Sequence, residues 1–488
     1  MYYSINYKAI IRVIGVLLCI EALFMLMPLF IAVIYGGGDL AAFIKTLAIT
    51  LCAGVLMIYI PGRSNEKIGK REGFMIVAMS WIFISATGAL PLLFYGTVNT
   101  YTDAYFEAMS GFTTTGMTVL ENIDSTPHGI LFWRCLMQWM GGMGIILFTL
   151  AILPMLNSGG GIQLFSAEVT GITFDKLGPR ISQTAKKLWG IYLAITLITI
   201  AMLVTGPMSL FDSVCTAFSA TSTGGYSTRQ ASIAYWNSAY VDYVVIASMF
   251  ISGMNFALIY RSVFRGHKNI FHDEELKWYL ITAVTATVLI SGALIIKSFY
   301  GDDIEKAIRG AMFTVVSALT STGFVTENFC KWGPFAFLII CICMFAGGCA
   351  GSTAGGAKII RIVILFKNTA SEFFRQLHPN AIRPVRLNGK VLSYDLVSKV
   401  LAFIVVYILV AGCSTLTLAF LGCTTEESIG ASLSAIGNCG FGFGRMNPDS
   451  SFITLHPLGK WVLIFDMLVG RLELFTVLIL FSPYFWKK

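Results

Sequence analysis

An all-α polytopic membrane protein is the fold class the sequence predicts: four parallel helix–pore-loop–helix repeats in pseudo-fourfold symmetry around a central pore, plus two extra N-terminal transmembrane helices. Three observations predict it. The 488 residues are 56% hydrophobic and only 12% charged, with a mean hydropathy of +0.75, a composition of membrane helices that excludes an ordinary soluble enzyme. A short segment ending in glycine recurs four times, about a hundred residues apart. Lys and Arg gather on alternate connections between apolar spans.

The chain begins with Lys8 and Arg12 ahead of an apolar run to Tyr35, longer than a signal-peptide core and without a small-residue cleavage site. This run and 40–60 are expected to form two peripheral membrane helices, joined by the turn Gly36-Gly37-Gly38-Asp39. Glu21, inside the first, reads either as a mark of an ion route or as a carboxylate bonded to a neighbouring helix, the simpler reading. Further spans are expected near 74–95, 130–155, 184–205, 238–260, 276–299, 334–366, 394–421 and 457–482, about ten crossings in all. The expected division is 1–72 for the N-terminal pair, then repeats 73–183, 184–275, 276–393 and 394–488.

Orientation follows from charge. The N-terminus, the connections 61–72, 154–187, 261–277 and 358–399, and Lys487-Lys488 hold 24 of the 34 Lys and Arg but 9 of the 26 Asp and Glu, which places both termini in the cytoplasm. On the opposite side Asp103, Glu107, Glu121, Asp124, Asp212, Asp242, Asp302, Asp303, Glu327, Glu426 and Glu427 flank the recurring segments. They read as a cation-concentrating mouth or as ordinary loop charges. The net charge of +8 is spread over all cytoplasmic connections with no recognition motif, so it is not a nucleic-acid footprint.

Aligned on the last glycine, the recurring segments end in Thr113-Thr114-Thr115-Gly116, Thr221-Ser222-Thr223-Gly224, Thr320-Ser321-Thr322-Gly323 and Gly437-Asn438-Cys439-Gly440, the fourth lacking hydroxyl residues. Each follows a short run of small and apolar residues and stops at a residue free to turn its carbonyl. Four such loops around an axis form a ring of carbonyl oxygens, the arrangement that replaces the hydration shell of K+. A repeat with two full crossings returns the chain to the same side, so all four copies are parallel around that axis. Loops at membrane depth then satisfy one another.

The second helices of the repeats echo one another as Gln138-Trp139-Met140-Gly141-Gly142-Met143, Met249-Phe250-Ile251-Ser252-Gly253-Met254, Met344-Phe345-Ala346-Gly347-Gly348-Cys349 and Met467-Leu468-Val469-Gly470-Arg471-Leu472. Their glycines suit close helix packing or gating. The third copy continues through Gly351, Ser352, Thr353, Gly355 and Gly356 to Lys358, predicting an unwound segment. The match to a phosphate loop fails, because Ala357 separates Gly356 from Lys358 and no strand precedes it. Segment 347–356 is expected to plug the pore below the loops. Arg471 takes the place of a glycine inside an apolar run, where an arginine costs roughly 2.5–3.5 kcal/mol. It is expected to donate to carbonyls or hydroxyls of 347–356 and hold the pore closed; the alternative is an arginine paired with a carboxylate of a neighbouring helix for stability.

With these marks the sequence resembles the Trk/Ktr/HKT superfamily of potassium transporters, and most closely its TrkH-type bacterial membrane subunits, over essentially the whole chain. The marks are the four loops with a terminal glycine, the glycine-rich interruption in repeat three, the arginine in repeat four and the two extra N-terminal helices. The resemblance implies potassium uptake across the bacterial inner membrane, K+ as the transported ion without an organic cofactor, a homodimer, and a cytosolic nucleotide-binding regulatory subunit of the TrkA type. The basic residues Arg375, Arg383, Arg386 and Lys390, with 154–187, suit lipid head groups or an acidic partner. The alternative is an ion-coupled secondary transporter of a small solute, although the broken helix offers glycine, serine and threonine where a solute pocket wants charged or aromatic ligands. An enzyme is not expected, since His128, His267, His272, His378 and His456 are scattered without a catalytic pattern.

Overall fold

The computed structural model describes residues 5–62, 69–142, 144, 181–265, 272–381, 383–447 and 450–486; the expectations placed on 145–180, Lys487 and Lys488 lie outside these residues. Two helical segments, Tyr7–Phe24 and Leu26–Tyr35, form the first span, and Leu40–Tyr59 returns beside it. The two spans meet through glycines: a Cβ on Gly15 would lie 2.7 Å from the Gly54 carbonyl oxygen, so only bare backbone allows the approach. The pair is tied to repeat one at both ends. Asp39 accepts from the Ile130 amide at 3.1 Å, and Glu72 accepts from the Asn6 amide at 3.3 Å.

Each repeat then has an outer helix, a pore helix and an inner helix. The outer helices are Lys70–Gly88, Ile181–Val204, Glu274–Ile296 and Tyr394–Phe420. They turn large apolar side chains outward, with Ile296 85% and Phe420 90% exposed, as a lipid-facing surface requires. The pore helices are Tyr101–Phe112, Leu210–Ser222, Ile304–Leu319 and Thr425–Ile436. Their 12 to 16 residues reach only about 18–24 Å at 1.5 Å per residue, short of a hydrocarbon core of about 30 Å. Thr100, Ser209, Asp303 and Thr424 cap their first turns by accepting the amides of Asp103, Asp212, Lys306 and Glu427.

The inner helices are His128–Gly142, Ala239–Ser252, Pro334–Ala346 and Pro457–Arg471. Here the expected crossings need correcting. Six described helices are long and apolar enough to cross a membrane. Of the other expected spans, 238–260 is broken with a 97° bend before Phe256–Phe264, and 334–366 and 457–482 also stop at the echo sequence. In repeats two and four hydropathy runs on through the break, so the sequence reads those two helices as continuous. The unwinding expected only in repeat three is therefore shared: Arg471 ends its helix, and Glu473 and Leu474 follow with φ of 53° each. The connection 358–399 holds the long helix Ile359–Leu377 and a two-stranded hairpin, Arg386–Leu387 with Lys390–Val391, turned at Asn388-Gly389. Asn388 docks the hairpin by donating to Asp273 at 3.0 Å.

Candidate functional site

The four pore helices end on four loops of one geometry. Thr114, Thr223, Ser321 and Asn438 all take φ between 51° and 55°, and two residues later Gly116, Gly225, Gly323 and Gly440 take φ between 80° and 90°. Left-handed φ on a residue with a side chain costs roughly 1–2 kcal/mol. Four equivalent instances mark a conformation that the surrounding structure imposes. Four backbone bonds fix the register: the amides of Thr115, Gly224, Thr322 and Cys439 each donate to Ser110, Ser219, Ser317 and Ser434 at 2.8 Å.

This register corrects the alignment of the second copy by one residue. Its loop is Ser222-Thr223-Gly224-Gly225, and Gly225, not Gly224, is the equivalent of Gly116. Thr221 belongs to the last turn of its pore helix, and its carbonyl is used elsewhere, as described below. The other three copies, Thr113 to Gly116, Thr320 to Gly323 and Gly437 to Gly440, keep their expected register.

The loops form a closed ring. A Cβ on Gly116 would run into the Gly224 carbonyl oxygen, one on Gly225 into that of Thr322, one on Gly323 into that of Cys439, and one on Gly440 into that of Thr115. Each terminal glycine thus abuts the carbonyl just before the terminal glycine of the next repeat. The same four glycines floor a vestibule whose wall includes Thr118, Arg134, Tyr226, Arg229, Gln230 and Asn447. Below them the pore-helix C-termini, each carrying partial negative charge, converge on the ring and favour a cation there.

Arg134 and Tyr226, not singled out from the sequence, hold the ring in place together with Gln138 of the echo string and the flanking acid Glu107. Gln138 donates to the Gly224 carbonyl at 2.6 Å and accepts from the Tyr226 amide at 3.0 Å. Arg134 and Glu107 form an ion pair at 2.8 Å with both side chains wholly buried. The Arg134 guanidinium also lies 4.1 Å from the Tyr226 ring centroid, and the Tyr226 hydroxyl donates to the Glu107 carbonyl at 2.8 Å. The polar Gln138 and Arg134 inside an apolar helix were the available signal. In the degenerate fourth loop, Asn438 donates to Thr115 Oγ1 at 3.0 Å and to the Met467 carbonyl at 2.9 Å, so it ties repeat four to repeat one.

The flanking acids differ in burial, with Asp242 and Glu327 half-buried between the extremes. Glu121, Asp124, Asp302, Asp303 and Glu426 are exposed, whereas Asp103, Glu107, Asp212 and Glu427 are buried. The buried ones brace the pore helices: Asp103 meets Lys460 at 2.5 Å, Asp212 accepts from Thr228 at 2.6 Å, and Glu427 meets Arg445 at 3.1 Å. Burial alone would raise the Glu427 carboxyl, but the hydrogen bonds from Arg445 and the Thr424 amide outweigh it and hold the group at about 2.

Segment 347–356 lies directly under the ring and touches repeats two and four besides its own. Gly347, with φ of 70°, and Gly356, with φ of 78°, press backbone against backbone at its neck. Gly348 packs on Ala354, and Ser352 closes the loop on itself by donating to the Cys349 carbonyl at 2.6 Å. Gly351, with φ of 74°, accepts at its carbonyl from the Phe256 amide at 3.1 Å. At the tip, Thr353 donates to the Thr221 carbonyl at 3.1 Å and contacts the Ser252 carbonyl at 3.2 Å. The Gly355 amide donates to Ser321 Oγ at 2.5 Å, and a Cβ there would strike the Gly437 carbonyl.

Arg471 completes the set. It donates to the Thr353 carbonyl and to Thr114 Oγ1, each at 3.2 Å, and to the Gly141 carbonyl at 2.7 Å. Two further echo glycines sit against backbone: a Cβ on Gly141 or Gly470 would hit the last pore-helix carbonyl of its own repeat, Phe112 or Ile436. Glu21 accepts from Thr87 at 2.6 Å, the simpler of its two readings.

Comparison with known proteins agrees with this architecture. A profile of the TrkH family, described as "Cation transport protein", matches residues 39–488. The chain is 37% identical to the Trk system potassium uptake proteins TrkH of Salmonella typhimurium and of Escherichia coli K12, covering 99% of this chain and 100% of each relative. The crystal structure of the potassium transporter TrkH from Vibrio parahaemolyticus superposes with a TM-score of 0.88 at 34% identity, over 99% of this chain and 100% of that one.

Proposed function

The chain belongs to the TrkH family of cation transport proteins, not of enzymes, and we propose that it takes up potassium across the bacterial inner membrane as the membrane subunit of a Trk-type system. The observation that carries this reading is the closed ring of four terminal glycines, each packed on a carbonyl of the next repeat. A bare K+ gives up its water to such carbonyls at small cost, whereas the smaller Na+ holds its water more tightly. The pore-helix ends supply negative potential at the same place without a fixed carboxylate that would trap the ion.

In this reading the filter consists of residues 113–116, 222–225, 320–323 and 437–440. Segment 347–356 with Arg471 is the gate, drawn shut. Thr353 stands under the filter, Gly355 is pinned to Ser321, and the Arg471 guanidinium both fixes the tip and repels cations arriving there. Opening requires these hydrogen bonds to break together. The long helix Ile359–Leu377 begins where the gate ends, so a force on the cytoplasmic side reaches the gate through one rigid element. The exposed Arg383, Arg386 and Lys390 on that side support docking of an acidic face of a nucleotide-binding regulatory subunit, and the resemblance supports a homodimer. The cationic connections support cytoplasmic termini.

Rubidium uptake into liposomes containing the purified chain tests the proposal. Uptake that potassium inhibits and sodium does not is the expected result; equal inhibition by both ions contradicts it.

A further inference from the structure

Beside the gate lies a second cavity, separate from the ring. It has a volume of about 60 Å3 and sits between the first N-terminal helix, the outer helix of repeat one and the inner helix of repeat one, walled by Leu17, Ile20, Phe24 and Ile84. Two polar groups line it, Glu21 and Ser80, which are 3% and 1% exposed. Thr87 satisfies Glu21 Oε2, but Glu21 Oε1 and Ser80 Oγ have no hydrogen-bond partner among the described residues. Leaving such atoms unsatisfied in an apolar wall is costly, and an occupant carrying a donor would recover that cost.

The size limits that occupant. A cavity of about 150 Å3 holds benzene, so about 60 Å3 takes only the head of a molecule whose remainder lies outside. The rim residues Ile20, Phe24 and Ile84 are half-buried, and their neighbours Leu23 and Phe83 face outward at 65% and 37% exposure. A tail leaving there enters lipid. The inner wall belongs to the gate: the Trp81 ring lies 5.9 Å from the Arg471 guanidinium, and Gly141, also lining the cavity, accepts from Arg471 at 2.7 Å.

We propose that this lateral cavity binds the head of a single-chain amphiphile bearing one donor group, an ammonium or a hydroxyl, against Glu21 and Ser80. The occupant backs Trp81 against Arg471 and favours the closed gate. The second half of this proposal rests on the gating role given to Arg471; the binding does not.

Decylamine and decanol are the two probes, titrated into purified protein while the fluorescence difference between wild type and Trp81→Phe is recorded, and then added to potassium-flux liposomes. A saturable change is expected with at least one probe; response to decylamine alone assigns an ionic contact to Glu21, and response to both assigns a neutral donor contact. Glu21→Leu is expected to weaken apparent affinity roughly tenfold, equivalent to about 1.4 kcal/mol, and Ile84→Trp, which fills the cavity, to abolish saturation. Ser80→Leu serves if Ile84→Trp does not fold. The same response in wild type and in the filled variant, or none with either probe, overturns the site. Saturable binding with undiminished flux overturns the link to Arg471, and saturable binding in a protein without potassium flux overturns the proposed function while leaving the site in place.

Discussion

Arg471 and Thr353, 118 residues apart in the chain, meet at 3.2 Å between a guanidinium nitrogen and a backbone carbonyl oxygen. The contact joins the broken inner helix of repeat four to the tip of the loop from repeat three. Through Thr114 and Gly141 the same side chain also holds repeat one, so one residue ties the gate to three repeats.

Arg471→Gln keeps some donors and removes the charge. Hydrogen bonds from charged groups contribute roughly 1.5–3 kcal/mol each, so losing the equivalent of one shifts the closed-to-open ratio about ten- to a hundredfold. The expected outcome is a folded protein with raised basal potassium flux in liposomes. Wild-type flux from a folded variant would show that Arg471 only braces the fold. Deleting 351–354, which removes the tip and leaves the neck glycines, is expected to raise flux in the same way.

Gly225→Ser is expected to impair potassium-over-sodium preference as severely as Gly116→Ser or Gly323→Ser, because each added Cβ enters a neighbouring carbonyl. Gly224→Ala is expected to act differently, since its Cβ meets the Gln138 side chain, which braces the ring, instead of a neighbouring carbonyl of the ring. Sodium competition against rubidium uptake checks both. Greater loss of selectivity at position 224 than at 225 would restore the alignment on Gly224.

Much of this arrangement is legible in the sequence, and its failures have physical causes. The four loops, the unwound 347–356 segment and a partner for Arg471 within it all follow from glycine, hydroxyl and charge placement. The second loop slips by one because Gly224-Gly225 offers two candidate ends. The serines Ser110, Ser219, Ser317 and Ser434, whose carbonyls set the register, align all four copies on Gly225. The inner-helix breaks of repeats two and four escape because apolar residues continue on both sides, and the Glu107–Arg134 pair joins two helices that no periodicity relates.

That pair yields a stability prediction. Removing one member of a buried ion pair strands the other charge at a cost of about 3–5 kcal/mol. Arg134→Met is expected to lower the thermal unfolding temperature in detergent strongly, and adding Glu107→Gln to recover part of the loss. An Arg134→Met protein as stable as wild type would contradict the bracing role.

At the mouth, Glu427 is held at about 2, below its ordinary 4.5, by Arg445 and backbone amides. A carboxyl lowered on folding adds stability above its unfolded value and loses it as pH falls through the folded one. Acid unfolding is therefore expected to draw on this group between about 4.5 and about 2, and Arg445→Met to become acid-labile at higher pH than wild type. Identical acid-unfolding curves would remove the pair from the account.

The reversal potential of the purified protein in liposomes, with potassium, sodium and proton gradients imposed one at a time, tests whether the four-glycine ring passes potassium selectively. In wild type the reversal is expected to follow the potassium gradient, and in Gly225→Ser to move toward the sodium gradient. A wild-type reversal that follows sodium as closely as potassium would contradict that selectivity.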